Sequence, residues 1–216
     1  MKYLQSKRKF ICILFLIFTS LNMFSQGIRG SRHDFSSSGW NWPFMHGPND
    51  EICLPCHTPH NADLAVADAP LWNHEVTVAN FILYSSPTMD AVPNQPNGVS
   101  KLCLSCHDGT VALDSWGGQT GSVFWPPGHS DVMGTNLTDD HPISFIYDNT
   151  LAGIDAGLFN PAITSSGLGG TISTDLLQNN RLQCTSCHDV HDKYGNLHLL
   201  VKSNTTSALC VTCHNK

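Results

Sequence analysis

The chain has 216 residues, 41% of them hydrophobic and 13% charged, with 11 basic against 17 acidic side chains and a formal net charge of −6. Four basic residues, Lys2, Lys7, Arg8 and Lys9, fall in the first nine positions, so seven remain against all seventeen acidic ones beyond them. That balance argues against nucleic acid as a partner, and scattered Gly, Pro, Ser, Thr, Asn and Asp interrupt every apolar period, leaving the chain short of core.

Residues 1–26 read as a secretory signal peptide: the basic cluster, an apolar run from Phe10 to Phe18, then small and polar residues to Gln26. The run is too short for a membrane-spanning helix of about 20 residues, and no later stretch approaches that length. The expected mature protein is a single domain, residues 27–216, exported through the periplasm to the cell surface or beyond. Cys12 leaves with the peptide. Next comes Ser31-Arg32-His33-Asp34-Phe35-Ser36, which reads as a flexible arm able to reach away from its own domain.

The remaining eight cysteines form four identical signatures, Cys53-Leu54-Pro55-Cys56-His57, Cys103-Leu104-Ser105-Cys106-His107, Cys184-Thr185-Ser186-Cys187-His188 and Cys210-Val211-Thr212-Cys213-His214. C-x-x-C-H is the attachment motif of c-type haem, in which two thiols become thioethers and the next histidine lies under the iron as its axial ligand. A zinc ribbon also pairs C-x-x-C motifs but does not require histidine after every second cysteine. With 12 histidines in 216 residues, four such successions by chance have a probability on the order of 10⁻⁵. A thioredoxin-like redox motif is usually single, not fourfold. The expectation is four haem c groups per chain.

Four irons can take four further axial ligands, and eight histidines lie outside the motifs: His33, His46, His60, His74, His129, His141, His191 and His198. Met45, Met89 and Met133 are the alternatives, but the supply of histidine makes bis-histidine ligation the simpler reading. His60 and His191 each fall three residues after a proximal histidine. Neither can wrap around its own porphyrin, so each is expected to reach the iron of a neighbouring haem. In Asp139-Asp140-His141-Pro142 the proline holds the histidine extended, and the carboxylates could hold its second nitrogen. His74 is the reserve ligand, while His46, His129 and His198 read as solvated or packed. Irons held by two histidines leave no open position, so no catalytic residue is assigned and enzyme chemistry is not expected.

Between motifs 2 and 3, Gly117-Gly118, Pro126-Pro127 and the tract from Ala152 to Ser173 read as loop material wrapping the haems. Short helices are expected beside the motifs, as at Ser207-Ala208-Leu209-Cys210, with Ser207 placed as a cap. Trp40, Trp42, Trp72, Trp116 and Trp125 are expected to pack against porphyrin faces. The expected fold is mostly irregular, with a few short α-helices, organised around four stacked haems that replace the missing core.

Several segments resemble the OmcE type of extracellular tetrahaem cytochrome, whose subunits polymerise into conductive filaments. They are His33-Asp34-Phe35-Ser36, Cys53 to Ala62, Leu71-Trp72-Asn73, Cys103 to Ala112, His141 to Tyr147, Cys184 to His191 and Leu209 to Lys216, in order along nearly the whole mature chain. The resemblance implies proximal ligands His57, His107, His188 and His214 and distal ligands His33, His60, His141 and His191, with one of the latter, expected to be His33, binding a haem of the next subunit. It further implies electron transfer along a head-to-tail homopolymer to redox partner proteins or extracellular acceptors. The alternatives are a monomeric periplasmic electron shuttle and an electron-input subunit of a reductase complex.

Overall fold

The structure, a computed structural model, describes residues 27–37, 39, 50–67, 69 and 71–216. The expected signal peptide, Trp40, Trp42 and His46 lie outside the described residues. Regular structure is sparse because Gly, Pro or Asn cuts each apolar run before it completes a long helix. In chain order the elements are β1 (Ile82–Leu83), α1 (Gly98–His107), β2 (Asn136–Leu137), β3 (Phe145–Ile146), α2 (Asn149–Ile154), α3 (Ile172–Asp175), β4 (Arg181–Leu182) and α4 (Cys210–Cys213). Tight 3-10 turns lie at Cys184–Ser186, Leu197–Leu199 and Thr205–Ser207. β1 pairs in parallel with β2, and β3 antiparallel with β4, Phe145 facing Leu182. The fold is therefore loop-dominated with a few short helices, as expected. Among the described residues no helix is long and apolar enough to cross a membrane.

α1 is the longest helix and carries motif 2 in its last turns. Leu102 packs with Trp72 and Val66, a cluster that also takes in Cys56 of motif 1. Leu104, on another face, packs with Phe81 and Leu137. One helix thus joins the surroundings of motifs 1 and 2.

The largest apolar cluster gathers Phe145, Tyr147, Leu151, Ile172, Leu176, Leu182 and Val201. Most of it flanks the tract from Ala152 to Ser173, which is loop over 155–171, as expected, and is bounded by α2 and α3. Asp148 accepts from the N–H groups of Thr150 and Leu151, and Thr171 and Thr174 close a reciprocal capping box around α3. Apolar residues too widely spaced to form a period are brought together by these turns. At the C-terminal end Ser207 is not a cap: it is used in the turn Thr205–Ser207, and Asn204 Oδ1 accepts from the Leu209 N–H instead.

Motifs 2 and 3 are clamped by a buried polar network. Gln183 Oε1 accepts from the hydroxyls of Ser100 and Ser144, and its Nε2 donates to Asn97 Oδ1 at 3.0 Å. Ser100 Oγ also accepts from the backbone N–H of Cys184 at 3.0 Å. Gln183 is 2% exposed, so water cannot replace lost partners. Gln183→Ala is expected to cost about 2–3 kcal/mol, since it strands two hydroxyls and an amide oxygen. Chemical denaturation of the haem-loaded protein, with an unchanged midpoint counting against the clamp, measures this.

Candidate haem-binding centres

Each signature is wound as one helical turn. His57 N–H donates to Cys53 O at 2.8 Å, His188 N–H to Cys184 O at 3.0 Å and His214 N–H to Cys210 O at 3.0 Å, while motif 2 lies within α1. Positions i, i+3 and i+4 share a helical face, so both thiols and the imidazole point to the same side. That is the disposition a porphyrin edge and its iron require.

An extended segment then pins each turn from outside. Asn73 N–H donates to Cys56 O, Met133 N–H to His107 O, Val201 N–H to Cys187 O and Phe159 N–H to Cys213 O. The four pinning segments have no sequence in common, because the contact is made by backbone alone.

Two of the motif rings are oriented through Nδ1. His107 Nδ1 donates to the Asp131 carbonyl at 2.8 Å and His188 Nδ1 to the His198 carbonyl at 3.0 Å. A carbonyl can only accept, so the proton lies on Nδ1 and the Nε2 lone pair is left for a metal. His141 is held in the same way, by the Pro142 carbonyl at 2.9 Å and not by Asp139 or Asp140. The next residue's carbonyl reaches the ring within one peptide unit, closer than either side chain.

Spacing between rings is the decisive geometry. A metal–imidazole bond is about 2 Å and the ring centre lies roughly 1 Å beyond the nitrogen, so two imidazoles trans across one iron have centres roughly 6 Å apart. His57 and His191 are 6.2 Å apart with their planes nearly parallel at 13°; His33 and His107 are 6.0 Å apart; His141 and His214 are 6.2 Å apart. Each pair joins a motif histidine to a histidine from elsewhere in the chain. The residues present therefore fit three bis-histidine irons within one chain. His60 and His188 have no ring partner at this spacing among the described residues, and both are exposed.

His33 departs from the expected flexible arm. Asp34, 1% exposed, accepts from Gly30 N–H at 2.6 Å and from the Ser36 N–H and hydroxyl, closing residues 30–36 into a turn that docks the ring beside His107. A short polar segment needs no apolar anchor when one carboxylate collects its donors. Burial first, then the neighbouring His107, lowers His33 to about 4, so the ring is neutral at pH 7 and in the ligating form.

The other histidines are occupied differently. His74 is buried with Nδ1 on the Glu75 carbonyl and Nε2 facing the Leu113 carbonyl and Cys106 Sγ. It supports motif 2 and does not oppose a motif histidine. His129 packs on Trp125 in a tilted contact at 4.4 Å, and its Nδ1 accepts from the Asp131 N–H, which puts the proton on Nε2. His198 serves through its carbonyl. Trp125 Nε1 donates to the Cys106 carbonyl, whereas the indole N–H groups of Trp72 and Trp116 are buried without a protein partner. A haem carboxylate is an acceptor that would satisfy such a donor.

The cysteines fit the same chemistry. All eight described cysteines are free, and motif 3 lies against α1, where the Cys184 N–H donates to Ser100 Oγ. Burial pushes the Cys56 thiol up to about 12 and Cys213 up to about 11. Reactive redox thiols are shifted the opposite way. A zinc ribbon would need four converging ligands, and among the described residues no group of three or more His, Cys, Asp or Glu converges on one point.

Residues 178–216 match the family described as doubled CXXCH motif. That stretch holds Cys184–His188 and Cys210–His214, and the match indicates a multihaem c-type cytochrome that binds haem c covalently and transfers electrons. No curated protein matches the chain. The carbonyls of Asp131, Pro142 and His198 and the Gln183 clamp carry no motif, and nothing in their sequence marks them beforehand.

Proposed function

We propose that the protein is an exported tetrahaem cytochrome that conducts electrons along a head-to-tail homopolymer of the OmcE type, with no catalytic reaction of its own. Four equivalent C-x-x-C-H turns support four haems per chain. Bound haem c would supply reversible one-electron chemistry at iron; the chain supplies two imidazoles per iron, fixed tautomers and thioether anchorage. Filled axial positions leave no place for a substrate, which supports conduction over catalysis.

The observation that carries the polymer is the pair of histidines left over. Among the described residues one oriented motif histidine, His188, has no opposing ring, and His60, exposed, is the histidine of the expected distal set that faces no motif histidine. Two complementary halves on one chain make a heterologous contact, and such a contact propagates a fibre when its rotation does not close. The junction ligand in this reading is His60 and not His33.

Haem number and assembly are tested together. A pyridine haemochrome assay on the matured protein is expected to give four covalent haems per chain, and negative-stain microscopy of the secreted fraction is expected to show filaments. Fewer haems reject the tetrahaem reading, whereas four haems in a monodisperse monomer favour the periplasmic shuttle.

A further inference from the structure

Lys202 follows Val201, the residue that pins motif 3, and its side chain crosses to motif 4. Its ammonium donates to Thr212 Oγ1 at 2.8 Å and to the Ser166 carbonyl at 2.9 Å. Thr212 lies inside Cys210-Val211-Thr212-Cys213-His214, is buried, and is itself fixed by donating to the Ala208 carbonyl at 2.9 Å. The charge is thus tied to the haem-binding turn rather than swinging on the surface.

The surrounding loop is shaped to receive it. At Gly167, with φ +79°, a Cβ would lie 3.1 Å from Lys202 Nζ, so a larger residue would press on the ammonium. Both acceptors are neutral, and among the described residues no carboxylate stands within ion-pair distance of Lys202. The nearby Lys216 and Asp155 both lie against Gly157 and offset one another. The Asp175 carboxylate on the same loop is taken up by the Ser166 hydroxyl and the Gly170 N–H, so Lys202 brings a positive charge without a direct ion-pair partner to motif 4.

Ferric haem carries one more positive charge than ferrous haem. A cation fixed on the turn that holds the haem, partly shielded from water, penalises the ferric state and favours the reduced one. We propose that Lys202 is a positioning residue of the electron-transfer chain that raises the reduction potential of the haem on Cys210–His214. This rests on the reading that motif 4 carries haem c.

The test is a spectroelectrochemical titration of the haem-loaded protein, comparing wild type with Lys202→Gln, which keeps a donor and removes the charge, and Lys202→Arg, which keeps the charge. Haem content is measured first, with mass analysis of the peptide holding Cys210 and Cys213; a peptide without a haem adduct overturns the underlying reading and not the tuning. With that haem present, Lys202→Gln is expected to lower one midpoint, changing its oxidised-to-reduced ratio at fixed potential by about threefold to tenfold, tenfold being about 59 mV for one electron. Lys202→Arg is expected to restore it. NMR of partly reduced samples, through contacts to Leu158 beside His214, is expected to assign that midpoint to the motif 4 haem. Unchanged midpoints, an equal fall in Lys202→Arg, or a shift confined to another haem would overturn the proposal. If Lys202→Gln does not mature, Thr212→Val, which frees the ammonium from its tether, is expected to lower the same midpoint by a smaller amount, and no change there is equally decisive.

Discussion

His60→Ala is expected to leave three irons low-spin, convert the fourth to a high-spin or water-ligated state, and abolish polymers while the monomer stays folded. The three undisturbed irons are those bracketed by His57 and His191, His33 and His107, and His141 and His214. The altered iron is that of motif 3, whose His188 is already oriented by the His198 carbonyl and lacks only a ligand on its far side. His60 itself is exposed on a turn closed by Thr58, whose hydroxyl donates to the His60 carbonyl at 2.8 Å, so truncating its side chain removes little that holds the monomer together. His33→Ala is the contrasting variant. It is expected to change the motif 2 iron inside every subunit and to leave polymerisation intact. Paramagnetic resonance and electron microscopy on the two variants read spin state and assembly independently. Filaments with every iron low-spin in His60→Ala would sink the junction, and His46 would be the next ligand to replace.

Protein deprived of haem is expected to be unfolded, with a far-ultraviolet circular dichroism spectrum of a disordered chain and rapid proteolysis. The reason lies in how little apolar surface the polypeptide buries by itself. Among the described residues the largest cluster gathers seven buried side chains, and two others gather three each. Clusters of that size do not offset a backbone ordering cost of about 1–2 kcal/mol per residue over so long a loop-rich chain. In the tetrahaem reading, four macrocycles would add large apolar faces and thioether bonds would fix the turns to them, so that binding free energy would become folding free energy, as in small metal-dependent domains. Expression without haem-attachment machinery, or replacement of the eight cysteines by serine, provides the sample. A cooperative thermal transition in either preparation would show that the side chains alone suffice.

Much of the chemistry was legible in the sequence because covalent haem attachment is local. The i, i+3, i+4 spacing that puts Cys53, Cys56 and His57 on one side of a helical turn is a property of adjacent residues, and so is the loop-dominated character that follows from scattered Gly, Pro and Asn. The surplus of histidine likewise pointed to paired imidazoles. Which imidazole meets which was not legible, because that depends on how loops of unlike length close in space. Only the fold brings His191 to His57, docks His33 beside His107 through the Asp34 turn, and leaves His60 and His188 apart. The carbonyls that set the ring tautomers could not be foreseen either, since every residue has one and only tertiary placement selects Asp131, Pro142 and His198. The tract from Ala152 to Ser173 is loop over 155–171, as its residues suggested, but the core that flanks it was not legible: Leu151 and Ile172 obey no period, and they become core only when Asp148 and Thr171 turn the chain and carry both onto Tyr147.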